Sequence, residues 1–111
     1  MKQAEVYHNY GWEARKEQDF KKAIQFYNKA LEFNPNHFKA YFNRGFAYDR
    51  LGDVDNAIKD YNNALKIDPN NAFCYYNQGI SYEKKNNPEK AVILCIILDF
   101  KFHQSDQNRS D

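Results

Sequence analysis

The chain repeats itself at an interval of 34 residues, and that interval decides what it can fold into. Laid without a gap over Phe38 to Asn71, the segment Ala4 to His37 matches at Tyr7/Tyr41, Asn9/Asn43, Gly11/Gly45 and Asp19/Asp53. It matches again at Ala-Ile (23 and 57), Tyr-Asn (27 and 61), Ala-Leu (30 and 64) and Pro-Asn (35 and 69). A third copy begins at Ala72 and keeps Tyr75, Asn77, Gly79, Tyr82 and Ala91 before the likeness fades. A unit this short cannot bury its apolar face alone, so neighbouring units must stack and share one continuous core.

Within a unit the apolar spacing, about 100° per residue, predicts two helices of similar length. Val54, Ala57, Ile58, Tyr61, Ala64 and Leu65 fall on one face of the second helix of unit two, as Phe20, Ala23, Ile24, Tyr27, Ala30 and Leu31 do in unit one. Gly52-Asp53 supplies the break between helices, with Asp53 as N-cap, and Asn34-Pro35-Asn36 and Asp68-Pro69-Asn70 end their units. Asn87-Pro88-Glu89 opens the last helix with proline near its first position. The expected architecture is all-α, a solenoid of antiparallel helix pairs in one domain over residues 1–102, with units at about 4–37, 38–71 and 72–102 and a disordered polar tail over 103–111.

These residues carry a family resemblance. Gly at the eighth place of the unit (Gly11, Gly45, Gly79), Ala at the twentieth (Ala23, Ala57, Ala91), an aromatic at the twenty-fourth (Tyr27, Tyr61), Ala at the twenty-seventh (Ala30, Ala64) and Pro at the thirty-second (Pro35, Pro69) resemble a tetratricopeptide repeat. The resemblance implies a right-handed superhelix whose first helices line a concave groove that binds a peptide or a partner helix. The third unit departs from the pattern, with Cys95 in place of the aromatic, Leu98 in place of Ala and no terminal Pro.

On the helical wheel one face of each first helix lies opposite the Tyr/Gly face. It holds Glu5, His8, Asn9 and Trp12 in unit one, Lys39, Phe42, Asn43, Phe46 and Arg50 in unit two, and Phe73, Tyr76, Asn77 and Ile80 in unit three. Charges such as Arg15, Lys16, Asp49 and Glu83 fall toward one edge of this wall. Asn9, Asn43 and Asn77 form a ladder of amides, each able to pair with the N–H and C=O of a peptide backbone, while the rings anchor apolar side chains. Chaperone-binding relatives hold a C-terminal carboxylate through cations and asparagines at five places that here are His8, Trp12, Asn43, Phe73 and Asn77. Only Asn43 survives, so a terminal-carboxylate ligand is not expected.

Composition narrows the function classes further. Sixteen Lys+Arg against fifteen Asp+Glu give a net charge of +1, which argues against a nucleic-acid partner. The longest apolar run, Val92 to Leu98, falls short of the roughly 20 residues that span a membrane. Cys74 and Cys95 have no metal-ligand spacing, and His8, His37 and His103 fall in different settings with no nucleophilic set around them. The expectation is a non-enzymatic chain without metal or cofactor, cytoplasmic or in another intracellular compartment, whose partner is a protein or peptide.

From Glu89 onward the pattern changes, because Val92 to Leu98 is apolar on every face where arrays place a polar closing helix. Two accounts fit: stacking against further repeats, or a homo-oligomer joined through Val92, Ile93, Ile96, Ile97 and Phe100.

Overall fold

The structure is a computed structural model that describes residues 2–109. Six helices follow in order, and no strand occurs among the described residues: α1 (Lys2–Lys16), α2 (Phe20–Phe33), α3 (Phe38–Arg50), α4 (Val54–Ile67), α5 (Ala72–Lys84) and α6 (Pro88–Arg109). Each pair packs within itself, α2 on α3 and α4 on α5 join the pairs, and α1, α3 and α5 touch along one wall. This is the helical solenoid that the interval predicts.

Local chemistry punctuates the helices at the repeat interval. Asp19 accepts from the Lys22 N–H at 3.2 Å, Asp53 from the Asn56 N–H at 3.4 Å and Asn87 from the Lys90 N–H at 3.3 Å, so an N-cap starts every second helix. Gln18, Gly52 and Asn86 all take left-handed φ values, of 62°, 84° and 59°. The following N–H then reaches back to the carbonyl of Ala14, Tyr48 or Tyr82 at 2.9 Å, closing the last turn of each first helix. Only unit two uses glycine there. Between units, His37 Nδ1 and Asn71 Oδ1 accept from the N–H groups of Ala40 and Cys74 at 3.1 and 3.0 Å, two caps that the spacing did not single out.

Tyrosine and alanine make the core. Ala23, Tyr27, Ala30 and Ala40 are buried together, as are Ala57, Tyr61, Ala64 and Cys74. Each ring lies across the glycine of the preceding helix: a Cβ on Gly11 would stand 2.5 Å from Tyr27 Cε1, and one on Gly45 2.9 Å from Tyr61 Cε1. No side chain fits there, so glycine is tolerated mid-helix despite a propensity cost of about 1 kcal/mol. The third unit has Cys95 instead of the ring, and the nearest atom to a Cβ on Gly79 is Leu94 Cβ at 3.8 Å. One bidentate ion pair stiffens the middle, with Arg44 Nε and Nη2 donating to the nearly buried Asp60 at 2.8 Å each and Nη1 to Asn28 at 2.8 Å.

Among the described residues α6 packs on no helix besides α5. Ala91 and Leu94 are buried while Val92, Ile93, Ile96, Phe100 and Phe102 are exposed, and Ile97 is half-buried. The helix continues past His103, where the polar tail was expected to begin, and runs to Arg109, because each added residue of a formed helix gains a backbone hydrogen bond. Residues 110 and 111 of that expected tail lie outside the described residues.

The glycines separate in a melting experiment. Gly11→Ala and Gly45→Ala each destabilise by about 1–3 kcal/mol through overpacking against the tyrosine. Gly79→Ala leaves the stability unchanged or raises it by up to about 1 kcal/mol, since its Cβ meets only van der Waals contact. Urea denaturation of the three variants checks this order.

Candidate functional site

The wall shared by α1, α3 and α5 carries two adjoining open cavities. One, of about 450 Å³, is lined by His8, Asn9, Trp12 and Arg15 of α1 with Lys39, Phe42 and Asn43 of α3. The other, of about 360 Å³, is lined by Arg15, by Phe38, Phe42 and Phe46 of α3, by Asn71, which caps α5, and by Phe73 and Asn77 of α5. Arg15 and Phe42 stand between the two and belong to both. Nine of the twelve groove candidates are thus brought together: His8, Asn9, Trp12, Lys39, Phe42, Asn43, Phe46, Phe73 and Asn77.

Three candidates lie elsewhere. Tyr76 and Ile80 line a small recess against Leu94 and Cys95 of α6. In the first two units that space holds a tyrosine, with His8 and Phe42 each 5.7 Å from the ring of Tyr27 or Tyr61; Cys95 is too small to fill it. Arg50 leans away, its guanidinium 5.5 Å over the ring of Phe20. The ladder of asparagines is also unequal. Asn9 is exposed, Asn77 Nδ2 donates to the carbonyl of Phe73 at 2.8 Å, and Asn43 is buried with its amide engaged on both sides.

Asn43 is the hinge of a polar cluster between the first two units. Its Oδ1 accepts from Arg15 Nη1 at 2.7 Å, and its Nδ2 lies 3.0 Å from His8 Nε2. Arginine can only donate, so the oxygen must face Arg15, the nitrogen must face His8, and His8 Nε2 must accept. His8 is therefore the neutral tautomer with its proton on Nδ1. Contrary to the separate settings expected of the histidines, His8 stacks on His37 with ring centroids 5.0 Å apart, because His37 caps α3 where α1 passes. His37 Nε2 lies 3.4 Å from Glu5 Oε1 on the outer side. Burial, then the neighbouring His37, pull the His8 pKa below its ordinary value of 6.5.

Arg15 was read as an edge charge, yet it lies centrally. Its guanidinium sits 3.8 Å from the centroid of Phe46 and 4.9 Å from that of Trp12, a sandwich that draws the long side chain inward. Burial pulls its pKa down. Phe38 and Asn71, first and last places of their units, also line the second cavity without having been singled out. A charge at the twelfth place, three residues after an aromatic, is the only sequence signal for Arg15, and it is weak because Asp49 at the same place instead takes Lys84 at 2.8 Å. Cys74 is buried, Cys95 is exposed, and no cluster of three metal-ligating groups occurs among the described residues. Among the described residues, no helix is long and apolar enough to cross a membrane.

Three tetratricopeptide-repeat families match, over residues 13–52, 38–71 and 60–93. The chain belongs to the tetratricopeptide-repeat family, whose helix-pair arrays serve as protein–protein interaction modules. Among solved structures, the crystal structure of MamA is 27% identical with a TM-score of 0.91, covering 94% of this chain; this chain spans 61% of that one. The TPR2B domain of yeast Sti1, solved as a pHsp70 complex, is 23% identical with a TM-score of 0.90 over 99% of this chain and 88% of its own. The second TPR domain of Spaghetti (RPAP3), bound to the HSP90 peptide SRMEEVD, is 19% identical with a TM-score of 0.84 over 88% of this chain and 91% of its own. The comparison with curated proteins finds no match.

The His8 tautomer has a pH consequence. A folded-state pKa below the unfolded value means that the unfolded chain takes up the proton first, so stability is complete above about 6.5 and is lost as the pH falls through that value and the lower folded one. The melting temperature is expected to fall between pH 7.5 and 5.5. His8→Gln, which keeps an acceptor for Asn43 but cannot titrate, flattens that dependence, as thermal melts across the range will show.

Proposed function

We infer that the chain is a non-enzymatic binding module that holds a segment of a partner protein, as an extended or helical peptide, along the wall of α1, α3 and α5. One observation supports this above the rest: two apolar-walled cavities meet end to end on that wall, with the large rings of Trp12 and Phe73 left 40% and 76% exposed beside them. Burying an apolar side chain against such a ring contributes about 1.5–3 kcal/mol, whereas one amide hydrogen bond nets about 0.5–1.5 kcal/mol. The rings set affinity. Asn9 and Asn77, together with the unused donor and acceptor positions of Asn43, set register. A C-terminal carboxylate held as in the chaperone-binding relatives is disfavoured, since His8, Phe73 and Asn77 stand where their cations would be needed and Trp12 where an asparagine would. A cytoplasmic setting accords with the two free thiols.

A second reading has its own observation. Val92, Ile93, Ile96 and Phe100 on α6 are at least half exposed, which suits an assembly surface, with Ile97 at its margin, for a second copy or for further repeats.

A peptide-display selection on the immobilised chain separates the two. Trp12→Ala and Phe73→Ala, both at exposed positions, are expected to weaken selected peptides about tenfold or more, while Ile96→Asp leaves them unaffected. If Ile96→Asp dissolves an oligomer seen in sedimentation and no groove change alters any binding, the assembly reading replaces the groove.

A further inference from the structure

Arg15 and Arg44, two of the arginines that reach between helices, are partnered differently. Arg44 grips the carboxylate of Asp60 with two nitrogens. Among the described residues, Arg15 has the neutral oxygen of Asn43 and two aromatic faces as partners, and no carboxylate pairs with it. Arg15 is half-buried at the junction of the two cavities, and the exposed Lys39 lines the first of them. The residues lining both cavities include these two cations and no aspartate or glutamate, although the chain as a whole is almost balanced in charge. Of the acidic groups nearby, Asp49 is paired with Lys84 at 2.8 Å, and the exposed Glu5 lies 3.4 Å from His37 on the outer side.

A cation whose solvation is partly stripped and whose field is not cancelled favours an anion in the space it faces. We propose, on the footing of the groove reading above, that the bound segment carries an internal Asp or Glu side chain that seats on Arg15, flanked by large apolar residues that occupy the cavities on either side. The guanidinium is pinned between Trp12 and Phe46 with Nη1 already directed at Asn43, so its remaining N–H edge is presented in a fixed plane. A planar carboxylate matches that edge in a bidentate pair. Lys39 adds a mobile second charge. A single preorganised arginine with one flexible lysine is a smaller anion site than the arginine clusters that read phosphorylated motifs. The two flanking cavities, walled by Trp12 and Phe42 on one side and Phe46 and Phe73 on the other, fix the pattern as apolar, acidic, apolar.

Short peptides blocked at both ends test this by fluorescence anisotropy. A central Glu, Gln or Lys is placed between positions randomised among Leu, Phe, Ser and Gly, and a fourth pool keeps Gln but has a free C-terminal carboxylate. The Glu pool is expected to bind on the order of tenfold tighter than the Gln pool, with an advantage that shrinks as salt rises. Arg15→Gln should abolish the advantage and Lys39→Gln should reduce it. Because Arg15→Gln removes a tie to Asn43, its helicity is followed by circular dichroism, and if it unfolds the exposed Lys39→Gln decides. Equal binding of Glu and Gln, both weakened by Trp12→Ala, would leave the groove in place and overturn the acidic subsite. Preference for the free C-terminus, or a Glu advantage untouched by both cation changes, would overturn it as well. Binding by no pool would remove the groove reading and the subsite together.

Discussion

Everything in this fold depends on how closely two helices approach, and that distance is set by a tyrosine ring packed against a glycine. The rings of Tyr27 and Tyr61 occupy the space that a Cβ on Gly11 or Gly45 would need. With the ring in that slot, its other edge supports the residue at the fifth place of the same unit, His8 or Phe42, and so holds it at the groove wall. Where the ring is missing, at Cys95, the support goes with it: a recess opens between α5 and α6, and Tyr76 and Ile80 line that recess rather than the groove. Sequence, helix spacing and groove composition thus change together in the third unit.

The groove inherits a second constraint from the join between the first two units. Arg15 orients the Asn43 amide, the amide selects the His8 tautomer, and His8 stacks on the residue that caps α3. Each member has a partner of fixed donor or acceptor character, so the cluster specifies one arrangement of α1 on α3. The cluster lies directly beneath the two cavities, which makes the wall's electrostatics part of the inter-unit packing rather than an addition to it.

The helices, their second-helix caps and the shared wall were legible in the sequence because they follow from spacing alone. Asp53 and Asn87 sit where a cap belongs, and Gly52 where a left-handed turn is needed. What was not legible depends on side-chain reach across units. Asn9, Asn43 and Asn77 share a face, but whether an amide is exposed, bonded to its own helix or buried depends on neighbours 28 or 35 residues away. Arg15 looked like a solvated edge charge because helical wheels carry no length, and a long side chain crosses to the next unit's ring. Arg50, at an adjoining place in unit two, goes the other way toward Phe20 for the same reason.

A double-mutant cycle on Gly11 and Tyr27 tests the founding constraint most directly, since all three atoms nearest to the missing Cβ belong to that one ring. Gly11→Ala is measured by urea denaturation in the natural chain and again with Tyr27→Cys, the residue that unit three uses at the same place. The predicted coupling is about 1–3 kcal/mol: alanine is costly beside the tyrosine and neutral or favourable beside the cysteine. The same cost in both backgrounds would show that the ring does not dictate the glycine and would contradict the account.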